Sequence, residues 1–133
     1  MAKALGVGGV FFKSSDPEAL CGWYERWLGI PVEPSFCVGF QPATIPAGGY
    51  TVWAPFKSST TYFEPSEKDF MINLMVDDLD GALDQVREGG ASTPGEIAEL
   101  DFGRFGWFVD PEGNKVELWE PKEYNPAPST SRG

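Results

Sequence analysis

The sequence contains no histidine and only two cysteines, Cys21 and Cys37. Without histidine, the commonest metal ligand and the usual general base near neutral pH are missing, which excludes Ser-His-Asp and Cys-His catalytic sites. The two cysteines form no CxxC motif, so we expect reduced, packed thiols rather than a disulfide or a redox pair. No apolar run approaches the roughly 20 residues of a membrane span, and the N-terminus lacks a signal-peptide pattern. We therefore expect a cytoplasmic protein.

Basic residues are scarce in this chain. Lysine and arginine number 10 against 20 acidic residues, which gives a formal net charge of −10. An acidic surface repels nucleic acid and anionic membranes, so neither is an expected partner, whereas a cationic ligand would suit it. The hydrophobic fraction of 41% in 133 residues indicates one globular domain with a modest core.

The two halves of the chain follow the same order of predicted elements. Residues 6–30 and 70–90 each read as a short apolar strand, an aspartate, an amphipathic helix and a glycine. Asp16 and Asp78 are the expected helix N-caps, and Gly29 is the expected end of the first helix. Each half later reaches a strand that ends in Trp-x-Pro. The chain therefore repeats a structural framework.

Short strands are expected after each helix. The candidates are residues 36–41 and 50–54 in the first half, and 96–102, 104–109 and 115–119 in the second. The sequence DPEGN, residues 110–114, predicts a hairpin turn between the last two. We predict one domain, residues 1–124, made of two βαβββ modules at about 4–56 and 70–121 with a polar linker at 57–69. Residues 125–133 are expected to be a mobile tail.

The chain resembles the vicinal oxygen chelate superfamily, which includes glyoxalase I, extradiol dioxygenases, and fosfomycin and bleomycin resistance proteins. The resemblance is carried by GGVFFKSSDPEALCGWYERWLGI, INLMVDDLDGALDQVREGG and DPEGNKVELWEP. It implies an α+β fold in which two βαβββ modules form a curved mixed sheet, with helices outside and a central cup. Because such cups are often completed by a second chain, we expect a homodimer.

Strand alternation indicates which side chains face the cup. Val116 and Leu118 of the last strand are assigned to the helix side, and Lys115 faces the cup with its odd-numbered neighbours. Arg104 follows a glycine at a strand edge and is either a contact for an anionic group or a surface arginine. The candidate ligand-binding residues are Phe11, Thr51, Trp53, Met71, Asn73, Arg104, Glu117 and Trp119. Trp107 is a further candidate, although its strand lacks a clean alternating face.

Metal-dependent members of the superfamily carry ligands at four inward positions, which correspond here to Gly9, Thr51, Met71 and Glu117. Only Glu117 matches, since glycine has no side-chain donor, threonine is a weak neutral ligand and thioether sulfur is soft. Metal sites usually need three or more protein ligands, so we expect no metal and no other cofactor. Glu117 is the best catalytic or ligand-contacting candidate. Its alternatives are a strand carboxylate paired with Lys115 or an arginine, and a metal ligand completed by a partner chain or the substrate.

Three functions follow from this pattern. The first is a metal-free protein that binds an aromatic or cationic small molecule, similar to the drug-sequestering members of the superfamily. The second is a glyoxalase-like lyase or isomerase, or a dioxygenase, with a divergent metal site. The third is an accessory domain that dimerises without a ligand. The aromatic residues predicted to face the cup favour the first function over the third.

Overall fold

The computed structural model of the chain describes residues 1–33 and 39–123. The elements are α1 (Pro17–Leu28), a short 3-10 helix (Pro42–Thr44), β1 (Ile72–Met75), α2 (Leu79–Glu88), β2 (Ala98–Leu100), β3 (Gly103–Val109) and β4 (Lys115–Pro121). The four strands form one mixed sheet in the order β1-β4-β3-β2. β1 runs parallel to β4, and the other pairs are antiparallel. The predicted α+β fold with a mixed sheet is confirmed.

Both helices begin at the predicted caps. The side chain of Asp16 accepts a hydrogen bond from the Ala19 amide at 3.1 Å, and that of Asp78 accepts one from the Gly81 amide at 3.1 Å. These bonds satisfy amides that have no partner within the first helical turn. α1 ends at Gly29, whose φ of 65° is the left-handed conformation that glycine adopts without strain.

The core lies between the helices and one face of the sheet. The apolar side of the amphipathic helix α2 is buried against β3 and β4. The buried residues of this core are Leu79, Ala82, Leu83 and Val86 of α2, Phe108 of β3, and Val116 and Leu118 of β4. Gly106 of β3 lets α2 approach closely, because a Cβ there would lie 2.9 Å from a methyl carbon of Leu83. α1 adds Trp23, Tyr24 and Leu28 to the edge of this core.

The sheet belongs to the second half of the chain. Residues 70–121 contain the predicted β-α-β-β-β order, whereas no strand forms in residues 1–33 or 39–56. Segments 50–54 and 39–41 form no strand, and residues 36–38 of the predicted segment 36–41 lie outside the described residues. A strand needs a hydrogen-bonded neighbour. Among residues 1–33 and 39–56 no segment has one, and many apolar side chains outside α1 are exposed.

Cys21, on α1, is disulfide-bonded, so the expectation of a reduced thiol is wrong for this residue. Disulfide pairing depends on proximity in the fold, which the spacing of cysteines in the sequence did not reveal. Cys37 and the predicted mobile tail at 125–133 lie outside the described residues. In the part of the chain that the structure describes, no helix is long and apolar enough to cross a membrane.

A buried carboxylate in the DPEGN turn connects the two halves. Asp110 is only 5% exposed, and its Oδ2 accepts hydrogen bonds from the Tyr24 hydroxyl and the Asn114 amide group, both at 2.9 Å. Its Oδ1 accepts from the backbone amides of Glu112 and Asn114 at 2.9 and 3.0 Å. The carboxylate therefore shapes the turn and also holds α1 against it.

A second carboxylate of the same turn reaches the start of α1. Glu112 accepts hydrogen bonds from the Ser14 hydroxyl at 2.6 Å and from the amides of Ser15 and Asp16 at 3.0 and 3.3 Å. The hydrogen bond from Ser14, followed by those from the two amides, holds the pKa of Glu112 below its usual value. The turn thus contacts α1 both at its N-terminus and along its side.

The ionisation of Tyr24 gives a first testable prediction. Burial raises its pKa far above the usual value near 10, and the charge of Asp110 and the bond to it add to this effect. The folded tyrosine stays protonated where the unfolded one ionises. Its stabilising contribution is complete below about pH 10 and falls by about 1.4 kcal/mol per pH unit above it. Urea unfolding from about pH 9 to about pH 11 should show this loss, and Tyr24→Phe should show a shallower one. Equal slopes would contradict the assignment.

Candidate functional site

The face of the sheet that points away from the helices, here called the open face, carries most of the candidate residues. Val116 and Leu118 of β4 are buried in the core on the helix side of the sheet. Lys115, Glu117 and Trp119 therefore point to the open face, as the alternation predicted. The register pairs Asn73 of β1 with Glu117 on one side, and β3 flanks it on the other.

Glu117 lies at the centre of a row of polar side chains that the register creates. Asn73 on β1 and Trp107 on β3 are its direct cross-strand neighbours. Asn73 Nδ2 donates to Glu117 Oε1 at 2.8 Å, and Trp107 Nε1 donates to Oε2 at 2.9 Å. Neighbours in register on one face of a sheet are close enough for such contacts. Both carboxylate oxygens are thus held by donors within the sheet.

The predicted linker supplies a third donor to Glu117. Tyr62 Oη donates to Glu117 Oε2 at 2.5 Å. Its ring meets Trp107 edge-on with centroids 6.3 Å apart, and it stacks on Phe56 at 5.8 Å. Burial, and then the hydrogen bond to Glu117, raise the pKa of Tyr62 above its usual value. The linker is therefore more than a connector, since it folds onto the open face beside the central carboxylate.

Lys115 holds the linker by a hydrogen bond to its backbone. Its Nζ donates to the backbone carbonyl of Tyr62 at 2.6 Å, and the residue is 9% exposed. The ammonium nitrogen also lies 5.1 Å from the ring centre of Tyr62 and 5.7 Å from that of Trp107. Burial lowers the pKa of Lys115, while the carboxylates of Glu117 and Glu64 act in the opposite direction. The open face thus holds a buried cation beside its central carboxylate.

Trp119 forms the next row along β4. It is 3% exposed, and its ring stacks on Phe105 with centroids 5.8 Å apart and meets Tyr50 edge-on at 5.0 Å. Its Nε1 donates to the carbonyl of Phe102 at 3.0 Å. These contacts place Trp119 in the packed floor of the open face.

The remaining predicted site residues are distributed unevenly. Phe11 and Trp53, in the first half, are 95% and 80% exposed. Thr51 is exposed as well, and Met71 is half-buried just before β1. Of the candidates predicted to surround Glu117, the structure therefore brings only Asn73 into direct contact with it, with Trp119 two residues further along the strand.

Arg104 lies on the other face of the sheet. Its guanidinium donates to Asp80 of α2 at 2.9 and 3.3 Å and to Glu99 of β2 at 3.1 Å. Strand alternation puts it on the opposite side from Trp107. The structure therefore gives Arg104 ion pairs on the helix side of the sheet and does not place it beside Glu117.

Three residues of the site were absent from the sequence-based set: Tyr62, Lys115 and, as a firm member, Trp107. The signal for Tyr62 was an aromatic pair, Tyr62 and Phe63, inside an otherwise polar linker. Aromatic residues in a polar segment usually pack against something. Lys115 was assigned to the correct face by alternation, but its burial could not be seen from the sequence.

The superfamily's metal does not fit the residues present. Of the four corresponding positions, only Glu117 has a carboxylate, and that carboxylate already accepts three side-chain hydrogen bonds. Gly9 offers no donor, and the ring of Phe11 lies against it. Among residues 1–33 and 39–123, no three His, Cys, Asp or Glu side chains are grouped so as to hold a metal ion. The three donors around Glu117 make its carboxylate a hydrogen-bond acceptor, which does not favour its use as a metal ligand.

A depression of the described surface lies elsewhere. It has a volume of about 570 Å³ and is lined by residues 13–15, Lys68 and residues 111–113. Its carboxylate, Glu112, is committed to the N-terminus of α1. We therefore place the candidate site at Glu117, where aromatic rings and charged groups converge, and not in this depression.

A family model for the glyoxalase-like domain matches residues 9–119. The chain belongs to the glyoxalase-like domain family. The resemblance to the vicinal oxygen chelate superfamily is thereby confirmed. No curated protein matches the chain.

Solved structures share this glyoxalase-like fold at low sequence identity. TnmS3, an antibiotic binding protein from Streptomyces sp. CB03234, is 22% identical, with 91% of this chain and 100% of that chain covered and a TM-score of 0.54. A glyoxylase/bleomycin resistance protein/dioxygenase domain from Frankia sp. EAN1pec is 17% identical, with 90% and 100% covered and a TM-score of 0.54. A protein from the mobile metagenome of V. Pseudocholerae is 17% identical, with 90% and 97% covered and a TM-score of 0.52.

Proposed function

We propose that this glyoxalase-like domain binds an aromatic or cationic organic small molecule on its open face, without a metal, and converts it slowly or not at all. The observation that carries the proposal is the arrangement around Glu117. Its two carboxylate oxygens are held by Tyr62, Asn73 and Trp107, and two of these donors are aromatic. The group is fixed in position as a charged acceptor beside ring surfaces.

This arrangement suits recognition of a flat organic molecule. Ligand sites commonly combine aromatic walls with a few fixed polar groups that set orientation. Here Tyr62 is exposed and Trp107 is half-buried, so ring surface is available next to the carboxylate. The fold shared with TnmS3, an antibiotic binding protein, agrees with small-molecule binding but does not identify a ligand.

The enzyme alternative has less support. A glyoxalase or dioxygenase reaction on this fold would need developing negative charge on the substrate to be stabilised. The described donors of Tyr62, Asn73 and Trp107 point at Glu117 instead. The accessory-domain alternative leaves the hydrogen-bonded polar row around Glu117 without a use.

Ligand binding can be tested by titrating neutral and cationic aromatic compounds in the presence of EDTA. We expect affinity in EDTA to equal affinity without it, because no metal takes part. Trp107→Phe, which removes the indole donor and ring area, should weaken binding about three- to tenfold, corresponding to roughly 1 kcal/mol. Binding should be measured by calorimetry, because Trp107→Phe itself lowers the tryptophan fluorescence of the protein.

Trp27→Phe is the matched control, because Trp27 lies on α1 rather than on the open face. The two variants should differ clearly. Equal effects of both, or affinity that EDTA abolishes and zinc, nickel, manganese or iron restores, would contradict the proposal. Rapid turnover of a glutathione hemithioacetal or a catechol would favour the enzyme alternative.

We also propose that the protein is a homodimer. The first half exposes many large apolar side chains, namely Leu5, Val7, Val10, Phe11, Phe12, Tyr50, Val52, Trp53 and Phe56. Exposed apolar surface on this scale is typical of an interaction surface, and a second copy of the chain would cover it while offering strand partners.

Light scattering should give about twice the chain mass of 14.6 kDa. Replacing Phe11 and Trp53 together by serine should shift the protein towards monomer at micromolar concentration, because it removes two exposed apolar rings that the second copy would cover. A wild-type monomer at these concentrations would contradict the dimer.

A further inference from the structure

The ammonium group of Lys115 lies where an organic cation would be expected to bind. Its nitrogen is 5.1 Å from the ring centre of Tyr62 and 5.7 Å from that of Trp107. Both distances are within the roughly 6 Å over which a cation is attracted to an aromatic face. Two rings converging on one ammonium group form the kind of aromatic cage that recognises alkylammonium ligands.

Further contacts hold this arrangement in place. Lys115 Nζ donates to the Tyr62 carbonyl at 2.6 Å, and both rings are tied to Glu117 through Tyr62 Oη and Trp107 Nε1. Lys115 as a whole is 9% exposed, so its side chain packs along the open face. The cation, the two rings and the carboxylate therefore form a single connected unit.

This unit affects which ligands the open face can take. A lysine side chain belongs to the chain itself, so it competes with any free cation for the same ring surfaces at a high effective concentration. Its charge also offsets that of Glu117, which weakens the attraction of the open face for a second cation. An uncharged aromatic ring meets neither obstacle, since it requires ring surface only.

We propose that Tyr62 and Trp107 form an organic-cation site occupied by the ammonium group of Lys115, and that Lys115 thereby makes the open face select uncharged aromatic ligands over organic cations. The selectivity part rests on the proposed ligand-binding function of the open face. The occupied cage does not, because its contacts exist in the chain without any ligand.

A purely supporting role for Lys115 leads to different results. If its only purpose were to hold the Tyr62 carbonyl, its removal would loosen the linker and gain nothing for a free cation. If it fills a cation site, its removal vacates that site. The two roles can therefore be separated by a gain of binding, which a merely structural residue would not produce.

The first experiment uses the wild-type protein and reductive methylation with formaldehyde and borohydride, followed by mass spectrometry of peptides. Lys115 should be methylated at least tenfold more slowly than the exposed Lys57 and Lys68, because its amine donates to the Tyr62 carbonyl and lies against two aromatic rings. Equal rates for the three lysines would overturn the inference. This measurement needs no variant, so it decides whether the ammonium group is enclosed even if a substitution is unstable.

The second experiment titrates tetramethylammonium chloride, at ionic strength matched with sodium chloride, into the wild type, Lys115→Met and Lys57→Met. Lys115→Met should bind the cation at least tenfold more tightly than the wild type, since methionine keeps an apolar stem but brings no charge. Lys57→Met makes the same charge change at an exposed position and should leave the affinity unchanged. No gain in Lys115→Met, or an equal gain in both variants, would overturn the inference.

Binding of neutral and cationic aromatics separates this inference from the proposed function. The wild type should prefer the neutral compound, and Lys115→Met should reverse or remove that preference. If the wild type binds no aromatic compound, the proposed function and the selectivity fail, whereas slow methylation and gained tetramethylammonium binding still support the occupied site. If neutral aromatics bind but Lys115 is methylated as fast as Lys57, the proposed function stands and the inference falls.

Discussion

Replacing Asp110 with alanine is expected to lower the free energy of unfolding by about 3–5 kcal/mol, the range for removing one partner from a buried charged network. The carboxylate is 5% exposed and accepts four hydrogen bonds. Its loss leaves the Tyr24 hydroxyl and the Asn114 amide group buried without their acceptor. Urea unfolding followed by circular dichroism would measure the change.

Two further variants make this experiment specific. Asp110→Asn keeps one oxygen for the turn amides but places an amide group opposite that of Asn114, so it should cost less, about 1–3 kcal/mol. Asp84→Ala removes an exposed carboxylate whose partner is Arg87, and the change should stay within about 0.5 kcal/mol. A loss below about 1 kcal/mol in Asp110→Ala would show that the network is not a main stabilising contact.

Glu117→Ala should release the linker from the open face. The substitution removes the acceptor of Tyr62, Asn73 and Trp107 together, and hydrogen bonds to a charged group are worth about 1.5–3 kcal/mol each. These donors are partly exposed, so water replaces part of the loss. Amide hydrogen exchange in residues 57–69 should become at least about tenfold faster, corresponding to about 1.4 kcal/mol of local opening.

The matched control is Glu117→Gln. A glutamine oxygen can still accept from Tyr62 and Trp107. Its amide nitrogen can donate to the Asn73 oxygen once the Asn73 side-chain amide flips by 180°. Exchange in the linker should therefore stay within about threefold of the wild type, a difference of under 1 kcal/mol. If Glu117→Ala leaves exchange in residues 57–69 unchanged, Tyr62 is not held by this carboxylate.

Local signals in the sequence were sufficient to predict the helices and the sheet of the second half. Asp16 and Asp78 were visible as caps because capping depends on residue type and a short spacing. The last strand was visible because Val116 and Leu118 alternate with polar or aromatic neighbours. These features depend on neighbours within a few residues, which the sequence displays directly.

The strands predicted in the first half do not form in the residues that the structure describes. Segment 50–54 has the composition of a strand, but a strand also needs a neighbouring strand, and the sequence of this segment does not specify which part of this chain or of another chain supplies it. Composition alone does not name that neighbour. For the same reason, the sequence did not reveal that Trp53 and Phe11 are exposed in the single chain.

The site was predicted only in part for a similar reason. Alternation placed Glu117, Lys115 and Asn73 on one face of the sheet, and the structure agrees. The contact between Tyr62 and Glu117 joins residues 55 positions apart, so no local pattern could reveal it. Arg104 was misleading because its ion-pair partners come from α2 and β2, which the sequence does not place beside it.

The DPEGN turn also determines how the molecule comes apart. Asp110 and Glu112 each bond to the first half, one through Tyr24 and the other through Ser14 and the start of α1. Because α1 is hydrogen-bonded to this turn, α1 cannot detach without exposing the buried groups of the turn to water. α1 and the β3–β4 hairpin therefore behave as one cooperative unit, and the boundary between the repeated halves is not a line along which the fold separates.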